Sequence, residues 1–251
     1  MQEEADPRSP TVSDTFPIRL FLLGSLDLGG VAGGDGILKQ PRRTAVLAYL
    51  GIKLGCGFQR RDTITALFWP EQNASQARAA LRKAIHGLRD ALGEQAILAR
   101  GDDDVMLDPL IVWCDVTEFR EAVRSNDHAR ALTLYRGSLL DGFYADAPSF
   151  ERVVEDERRE LGELAASSAW LLADAHDRNA HPTLAGRMAR RAVRMAGADE
   201  RVLRKALLLL HRQGDLAGAL ALHEEFASRL RDEFQATPSA ETQALVRELR
   251  G

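Results

Sequence analysis

The sequence contains few of the residues on which disulfide bonding and metal binding depend. Of its 251 residues only two are cysteine, Cys56 and Cys114, and six are histidine. Two cysteines do not make a disulfide framework, and they lack the spacing of metal ligands. We interpret both as reduced core or boundary residues. Five of the histidines share no spacing typical of metal ligands either. We therefore predict no metal site among His128, His176, His181, His211 and His223.

Long apolar runs and catalytic motifs are also missing. The run Ala206–Leu210 is far too short to span a bilayer, and no basic stretch followed by an apolar core marks a secretory signal. No nucleophile elbow or order of catalytic residues is visible. We therefore predict a soluble cytoplasmic protein that is not an enzyme, uses no cofactor and makes no membrane contact. Without the Gly-Lys-Ser/Thr ending of a phosphate loop, hairpin turns are predicted at Gly29, Gly30, Gly33, Gly34 and Gly36.

Apolar residues are plentiful, and charge is distributed unevenly along the chain. Hydrophobic residues make up 45% of the sequence, which is ample for a core, and the formal net charge is −4. Residues 1–16 carry one arginine and four acids, a net charge of −3. Residues 17–114 have 12 basic and 10 acidic residues, a net charge of +2, and residues 115–251 have 20 and 23, a net charge of −3. Different partners for different parts of the chain are one interpretation.

The composition and the hydrophobic periodicity change several times along the first half of the chain. Residues 1–16 are rich in Pro, Ser, Thr and acids without periodicity, and they are predicted to be a disordered leader. The apolar stretch 18–28 with its Gly break indicates two short strands, and turn glycines with a further short strand are expected before Pro41. Helical periodicity begins after Pro41, and Trp69-Pro70 closes a second helix.

A third helix follows, and a hairpin comes after it. Asn73 is a predicted cap for a helix that ends at Gly93, and "AILARGDDDVMLDP" has two apolar runs around a Gly-Asp turn. A small sheet, three helices and a hairpin are the order of a winged helix-turn-helix. The inward stripes of the three helices give a predicted core of Leu47, Leu50, Ile64, Leu67, Trp69, Leu81, Ile85 and Leu88.

From residue 115 onward almost everything has helical character. "NDHARAL" at 126–132 and "GDLAGAL" at 214–220 share the pattern Asp-x-x-x-Ala-Leu. This recurrence, with alanine-rich helices and short linkers, favours stacked helical hairpins of tetratricopeptide type. The predicted fold is mostly α. A winged helix-turn-helix with a small β-sheet and a wing hairpin occupies residues 17–114, and an all-α helical-repeat domain occupies residues 115–251.

The helix from Ala77 to Gly93 is basic although the chain as a whole is acidic. On a helical wheel its apolar residues form one stripe, and Arg78, Arg82 and Arg89 lie on an adjoining face about 15 Å long. An isolated helix of this kind is more often an ordinary solvated face. As the second helix of a helix-turn-helix it is instead the element that enters the DNA major groove, where arginine pairs with phosphates or guanine.

Three stretches resemble the winged helix of the OmpR/PhoB type found in the antibiotic regulatory protein (SARP) family. They are "PRRTAVLAYLGI", "RDTITALFWPEQNASQARAALRKAIHGLRDALG" and "ILARGDDDVMLDP". "CDVTEFREAV", "HARALTLYRGSLLDGF" and "FERVVEDERREL" look like the start of the bacterial transcriptional activator domain that follows in this family. Near the C-terminus, Pro238-Ser239-x-Glu241-Thr242 is similar to that domain's end, and the resemblance covers about residues 17–250.

The resemblance implies a bacterial transcription factor that binds double-stranded DNA at direct repeats and recruits RNA polymerase, with a homodimer as one possibility. The recognition helix would run from Ser75 to Leu92, and the wing would contact the minor groove or the backbone. We accordingly predict DNA contacts by Ser75, Arg78, Arg82, Lys83, His86, Arg89 and Arg100.

Two residues or stretches depart from the family pattern. The wing tip carries Asp102, Asp103 and Asp104, where an aromatic or basic turn is more usual, and Arg60 stands where a capping Ser or Thr is common. Carboxylates near phosphates weaken DNA binding. The alternative function is therefore a protein-interaction scaffold whose winged helix has lost DNA binding.

Overall fold

The computed structural model describes residues 16–31 and 34–251, and it divides into two compact units. Unit 1 consists of the chain up to Glu121 together with Leu134–Arg158, and unit 2 consists of Ala122–Thr133 and Arg159–Gly251. The leader predicted for residues 1–16 lies outside the described residues except for Phe16, and so does the turn predicted at Gly33.

Unit 1 begins with a small sheet that joins distant parts of the chain. The two strands predicted here are β1 (Ile18–Phe21) and β2 (Asp27–Gly29). Strand β1 pairs antiparallel with β2 and parallel with β6 (Val112–Cys114). Gly30 follows β2 with a φ of +81°, and a Cβ atom there would lie 2.0 Å from the carbonyl oxygen of Pro17. Only glycine fits this position, because it tolerates positive φ and has no side chain to clash.

The helices of unit 1 follow the predicted order. A proline begins the second of them, Pro41, where the missing N–H has no helical partner to lose. The third helix ends before Trp69-Pro70, since the residue before proline avoids the helical conformation. The first four helices of the chain are α1 (Gly34–Leu38), α2 (Pro41–Ile52), α3 (Arg61–Phe68) and α4 (Ala74–Leu92).

Three predictions for this region are wrong. Helix α1 stands where hairpin turns at Gly34 and Gly36 and a further short strand were expected before Pro41. The carbonyl of Ile37 in α1 accepts hydrogen bonds from the Thr44 hydroxyl and the Gln40 amide. Leu67 is only partly buried, whereas its neighbour Phe68 is fully buried. In the short helix α3 the buried stripe runs through Ile64 and Phe68, four residues apart, and Leu67 lies at its margin.

The wing forms a second sheet. Strands β4 (Ile97–Arg100) and β5 (Asp104–Leu107) make the predicted hairpin, and β3 (Gln59–Arg60) pairs with the other edge of β5. The order in the sheet is β3-β5-β4. A 3-10 turn, Glu94–Ala96, connects α4 to the hairpin, so the wing begins directly where α4 ends.

Unit 1 also includes residues that follow the winged helix in the sequence. The buried carboxylate of Asp115 accepts the amides of Leu22 and Leu23 at 2.8 and 3.0 Å. Burial raises the pKa of Asp115, and the two amide hydrogen bonds oppose that rise. The rings of Phe68 and Phe150 lie 4.9 Å apart. The packing of the winged helix therefore extends beyond the predicted boundary between residues 114 and 115.

The remaining helices lie in the region from residue 115 onward, where the sequence predicts helical character. The long helix Pro148–Arg178 begins in unit 1 and ends in unit 2. A core of buried aliphatic residues, with Phe226, joins the C-terminal helices of unit 2. The helices are α5 (Asp115–Arg124), α6 (His128–Leu134), α7 (Pro148–Arg178), α8 (Pro182–Met195), α9 (Glu200–Arg212), α10 (Leu216–Phe234) and α11 (Ala240–Arg250).

The recurring Asp-x-x-x-Ala-Leu pattern is a recurring turn. Asp127 and Asp215 each accept the amide of the residue three positions on, at 3.0 and 2.9 Å, and so begin α6 and α10. The residue before each aspartate, Asn126 or Gly214, has a positive φ. The two copies therefore turn the chain between helices in the same way, as expected of helical-repeat hairpins.

Candidate nucleic-acid interface

Helix α4 is capped at both ends and buried along one stripe. Asn73 accepts the amide of Gln76 at 3.0 Å, and the chain leaves the helix at Gly93, which has a φ of +97°. These caps satisfy backbone groups that an uncapped helix leaves without partners. The predicted helical phase is confirmed, since the buried residues are Ala77, Leu81, Ala84, Ile85 and Leu88.

The exposed face of α4 brings together four of the predicted contact residues, namely Ser75, Arg82, Lys83 and His86. Within the part of the chain that the structure describes, neither Arg82 nor Lys83 has an ion-pair partner. The ring of His86 lies with Nε2 3.5 Å from an oxygen of Asp90, one helical turn on. Packing of unit 1 does not use these side chains, so they are available to a ligand.

Arg78 lies at the edge of this face and is held by a carboxylate. Its guanidinium donates to both oxygens of Asp62, with Nη2 at 2.9 and 3.1 Å and Nε at 3.1 Å. Asp62 stands in the first turn of α3, where a negative charge is favourable. Both side chains are about half exposed, so the pair fixes the direction of Arg78 more than it stabilises the fold.

Arg89 is directed at the wing backbone. Its side chain is only 24% exposed, and Nη2 and Nε donate to the carbonyl oxygen of Ile97 at 2.8 and 3.3 Å. This contact ties the last turn of α4 to the first residue of β4. The sequence suggested a DNA contact for Arg89 and gave no indication of this tie, which depends on where Ile97 lies.

The wing side chains form their own pair. Arg100 donates to Asp104 across the turn at 2.7 and 3.0 Å, and its guanidinium lies 4.8 Å from the centre of the Phe58 ring. Asp102 and Asp103 are exposed at the tip. Arg100 is therefore largely neutralised by Asp104, and the outermost charges of the wing are negative.

Arg61 is a basic residue of this surface that the sequence analysis did not single out. It is the first residue of α3, and its amide donates to the carbonyl of Asp103 in the wing at 2.7 Å. The side chain is partly buried, and burial is the largest cause of its lowered pKa, followed by the nearby charge of Arg89. The Arg60-Arg61 doublet at the start of α3 is the sequence signal that marks this position.

A possible metal site and membrane-spanning helices were also considered. His86, Asp90 and Glu94 place one ligand atom each within 4.8 Å of one another, but all three are exposed, and exposed acidic groups often lie together without a metal ion. Among residues 16–31 and 34–251 no helix combines the length and the apolar character that crossing a membrane requires.

Comparison with known proteins identifies the second part of the chain. Residues 114–250 match the family model described as the bacterial transcriptional activator domain. The fold resembles the solved structure of Mycobacterium tuberculosis EmbR in complex with a low-affinity phosphopeptide, with a TM-score of 0.59 and 18% identity. The similarity covers 93% of this chain and 65% of the EmbR chain, so this chain spans less than two thirds of its length. Comparison with the curated proteins finds no match.

Proposed function

The chain belongs to the family defined by the bacterial transcriptional activator domain, and from this membership we propose that it regulates transcription by binding double-stranded DNA. In this proposal α4 enters the major groove and the wing lies along the neighbouring backbone or minor groove, as in other winged helices. The observation that carries the proposal is the separation, on α4, of an exposed basic face from the buried stripe.

The dimensions and chemistry of α4 support this role. Its 19 residues make a helix about 28 Å long, and a helix fits the width of the major groove. Arg82 lies near the middle of the helix, where its guanidinium can reach phosphate groups that border the major groove. Lys83 and Ser75 flank it and are suited to phosphate oxygens. The overall charge of −4 does not oppose this, because attraction between exposed charges is screened beyond about 10 Å.

The finer elements of the proposal are activation and assembly. We propose that the protein recruits RNA polymerase at direct-repeat sites, each repeat taken by one winged helix, with two copies of the chain on the DNA. Family membership supports the role of activator. A site with two direct repeats requires two DNA-binding domains, one for each repeat. Sedimentation of the protein with a two-repeat duplex tests the stoichiometry, and transcription in vitro with purified polymerase tests activation. That the chain acts without catalysis stays a prediction.

The central experiment measures DNA binding. Genomic fragments retained by the full chain are sequenced, and the recovered duplex and a scrambled one are compared by fluorescence anisotropy over a salt series. The double variant Arg82→Ala/Lys83→Ala is compared with Arg187→Ala/Arg247→Ala, which removes the same charge from exposed positions of α8 and α11. We expect weaker binding and a flatter salt slope only for the first pair, by about one unit per lost phosphate contact.

A second candidate function has its own supporting observation. The exposed carboxylates of Asp102 and Asp103, and the pairing of Arg78 and Arg100 with acids, favour a scaffold that has lost DNA binding. If no genomic fragment is enriched and the Arg82/Lys83 variant binds duplex DNA as the parent does at every salt concentration, the scaffold is the better description. Enrichment that depends on these two residues excludes it.

A further inference from the structure

A depression lies between the start of α3, the middle of α4 and the wing. It is lined by Arg61, Arg78, Leu81, Arg82 and Asp102, and its volume is about 350 Å³. A water molecule takes up about 30 Å³ of liquid, so the depression has room for a hydrated anion of several atoms. Its lining combines one apolar side chain with four charged ones, and three of these four are arginines.

The charges in this depression do not balance. Three guanidinium groups face one carboxylate in the lining, and the guanidinium of Arg89 lies nearby. Beyond the lining, only Asp62, which holds Arg78, and Asp103 add negative charge. Arg82 has no ion-pair partner within the described part of the chain. Arginines collected in one place repel one another, and a bound anion would relieve that repulsion.

Arg61 is the least satisfied member of the group. Its Nε atom is buried and has no hydrogen-bond partner among the described residues. A buried donor on a charged group is costly to leave unpaired, so native structures rarely keep one without a ligand or a water. The guanidinium pKa is lowered by burial first and then by the charges of Arg89 and Arg82, which Asp102 and Asp103 only partly offset.

One guanidinium of the wall and the backbone of Arg61 are held in place before any ligand arrives. The backbone of Arg61 is fixed at the start of α3 by its hydrogen bond to Asp103, and Arg78 is clamped by Asp62. Guanidinium groups fixed in direction bind oxyanions well because little side-chain freedom is lost on binding. Leu81 closes the inner wall and reduces access of water.

We propose that this depression, the Arg61 pocket, binds a single phosphate group, with Arg61 and Arg82 as its ligands and Arg78 completing the wall. The ligand is a non-bridging phosphate of the DNA backbone, and in this respect the inference rests on the proposed function. Asp102 stands at the same pocket as a competitor for the arginines. Arg61 thereby fixes the position of the recognition helix and reads no base.

The first arm of the test uses inorganic phosphate and needs no DNA. The Nε–Hε resonances of the arginines are followed by NMR in the full chain while phosphate replaces chloride at constant ionic strength. We expect saturable shifts for Arg61 and Arg82, with Arg247 unchanged. Arg61→Gln should abolish the saturable response of Arg82, and Arg60→Gln, at the exposed neighbouring position, should leave it intact.

The same variants test whether Arg61 is merely structural. If the Arg61 pocket is an anion site, removing a guanidinium whose buried Nε lacks a partner leaves the melting temperature of Arg61→Gln equal to or above that of the parent in chloride, and phosphate no longer raises it. A lower melting temperature together with a retained response to phosphate would overturn the proposal. Arg61→Lys keeps the charge but not the planar fork, so it should bind phosphate more weakly than the parent.

The second arm asks whether the phosphate belongs to DNA. Arg61→Gln should weaken binding to specific and scrambled duplexes by the same factor and flatten the salt slope by about one unit, whereas Arg60→Gln should not. Phosphate binding without this change in slope overturns the assignment to the DNA backbone. If the parent binds no duplex, the proposed function fails, and the NMR titration still decides whether the Arg61 pocket exists.

Discussion

Three arginines of α4 have different contacts although they have the same side chain. Arg78, Arg82 and Arg89 were grouped by the sequence as basic positions of one face. In the structure Arg82 is exposed, Arg78 is clamped by Asp62, and Arg89 donates to the wing backbone. Spacing along a helix fixes the direction in which a side chain leaves the axis, but its partner comes from another element. The distinction between the three arginines was therefore beyond the reach of the sequence.

Substitutions of Leu81 and Arg78 should have different effects on the free energy of unfolding. Leu81 is 1% exposed, so Leu81→Ala should lower the free energy of unfolding of unit 1 by about 2–5 kcal/mol through lost packing and the cavity that remains. Arg78→Ala breaks an exposed ion pair and should cost at most about 1 kcal/mol. Urea denaturation of the full chain measures both. Equal stabilities of Leu81→Ala and the parent would mean that the helical phase is wrong.

His223 is predicted to make unit 2 less stable in acid. Both ring nitrogens are buried without a partner among the described residues. Burial lowers the pKa of His223. The charges of Glu224 and Glu200 oppose this lowering, and the charge of Arg250 adds to it. The unfolded chain therefore takes up the proton first, and stability falls as the pH drops below about 6.5.

The measurement compares variants at two histidines. Thermal melts between pH 8 and pH 5 should show a shallower loss of stability for His223→Gln than for the parent. His211→Gln, at an exposed histidine of α9, should follow the parent. Parallel pH profiles for the parent and His223→Gln would contradict the prediction.

At the scale of elements, the sequence predicted what is local and missed what is not. Helix α4 was predictable because its cap, its apolar stripe and its terminal glycine all lie within residues 73–93. The parallel pairing of β1 with β6 was not, because each strand is short and its partner lies far away in the sequence. Arg61 was missed for the same reason, since its role depends on the position of the wing. Local patterns describe helices well, whereas strand pairing and pockets depend on tertiary contacts.

The wing carries a prediction that belongs to the hairpin as a whole. Replacing Asp102 and Asp103 with asparagine removes two exposed negative charges next to the basic face without altering the strands. Binding to duplexes of any sequence should tighten, most clearly at low salt, where screening is weak. The control is Glu225→Gln/Glu233→Gln, which removes two exposed acids from α10. Unchanged affinity for the wing variant at all salt concentrations would show that the wing points away from the DNA.

At the scale of the whole molecule, the compact units differ from the segments that the sequence suggested. The family match begins at residue 114, and the predicted boundary lay between residues 114 and 115. The packing of the winged helix nevertheless includes Asp115, Phe150 and Leu140, whose amide donates to the carbonyl of Leu22. The start of a family match shows where a sequence pattern begins. It does not show where the packing of the preceding domain ends.

Phe150 provides the test of this extended packing. It is fully buried against Phe68, so Phe150→Ala should destabilise unit 1 by about 3–5 kcal/mol although it lies within the family-matched segment. Hydrogen exchange read by mass spectrometry should show faster exchange in α3 and little change in α9. The control Tyr144→Ala, at a side chain 66% exposed in the same stretch, should exchange like the parent. Unaltered α3 exchange in Phe150→Ala would restrict the winged-helix core to residues before 115.

The tie between Arg89 and Ile97 bears on how the specificity of such a protein is redesigned. Because Asn73 fixes one end of α4 and Arg89 joins the other end to the wing, the outward positions 75, 82, 83 and 86 form a set that can be exchanged without repacking. A recognition helix transplanted whole from another regulator would lose the tie if it lacked an arginine at the position of Arg89. Under the proposed function, libraries for new operator sequences should therefore vary positions 75, 83 and 86 and keep Asn73, Arg82, Arg89 and Gly93 constant.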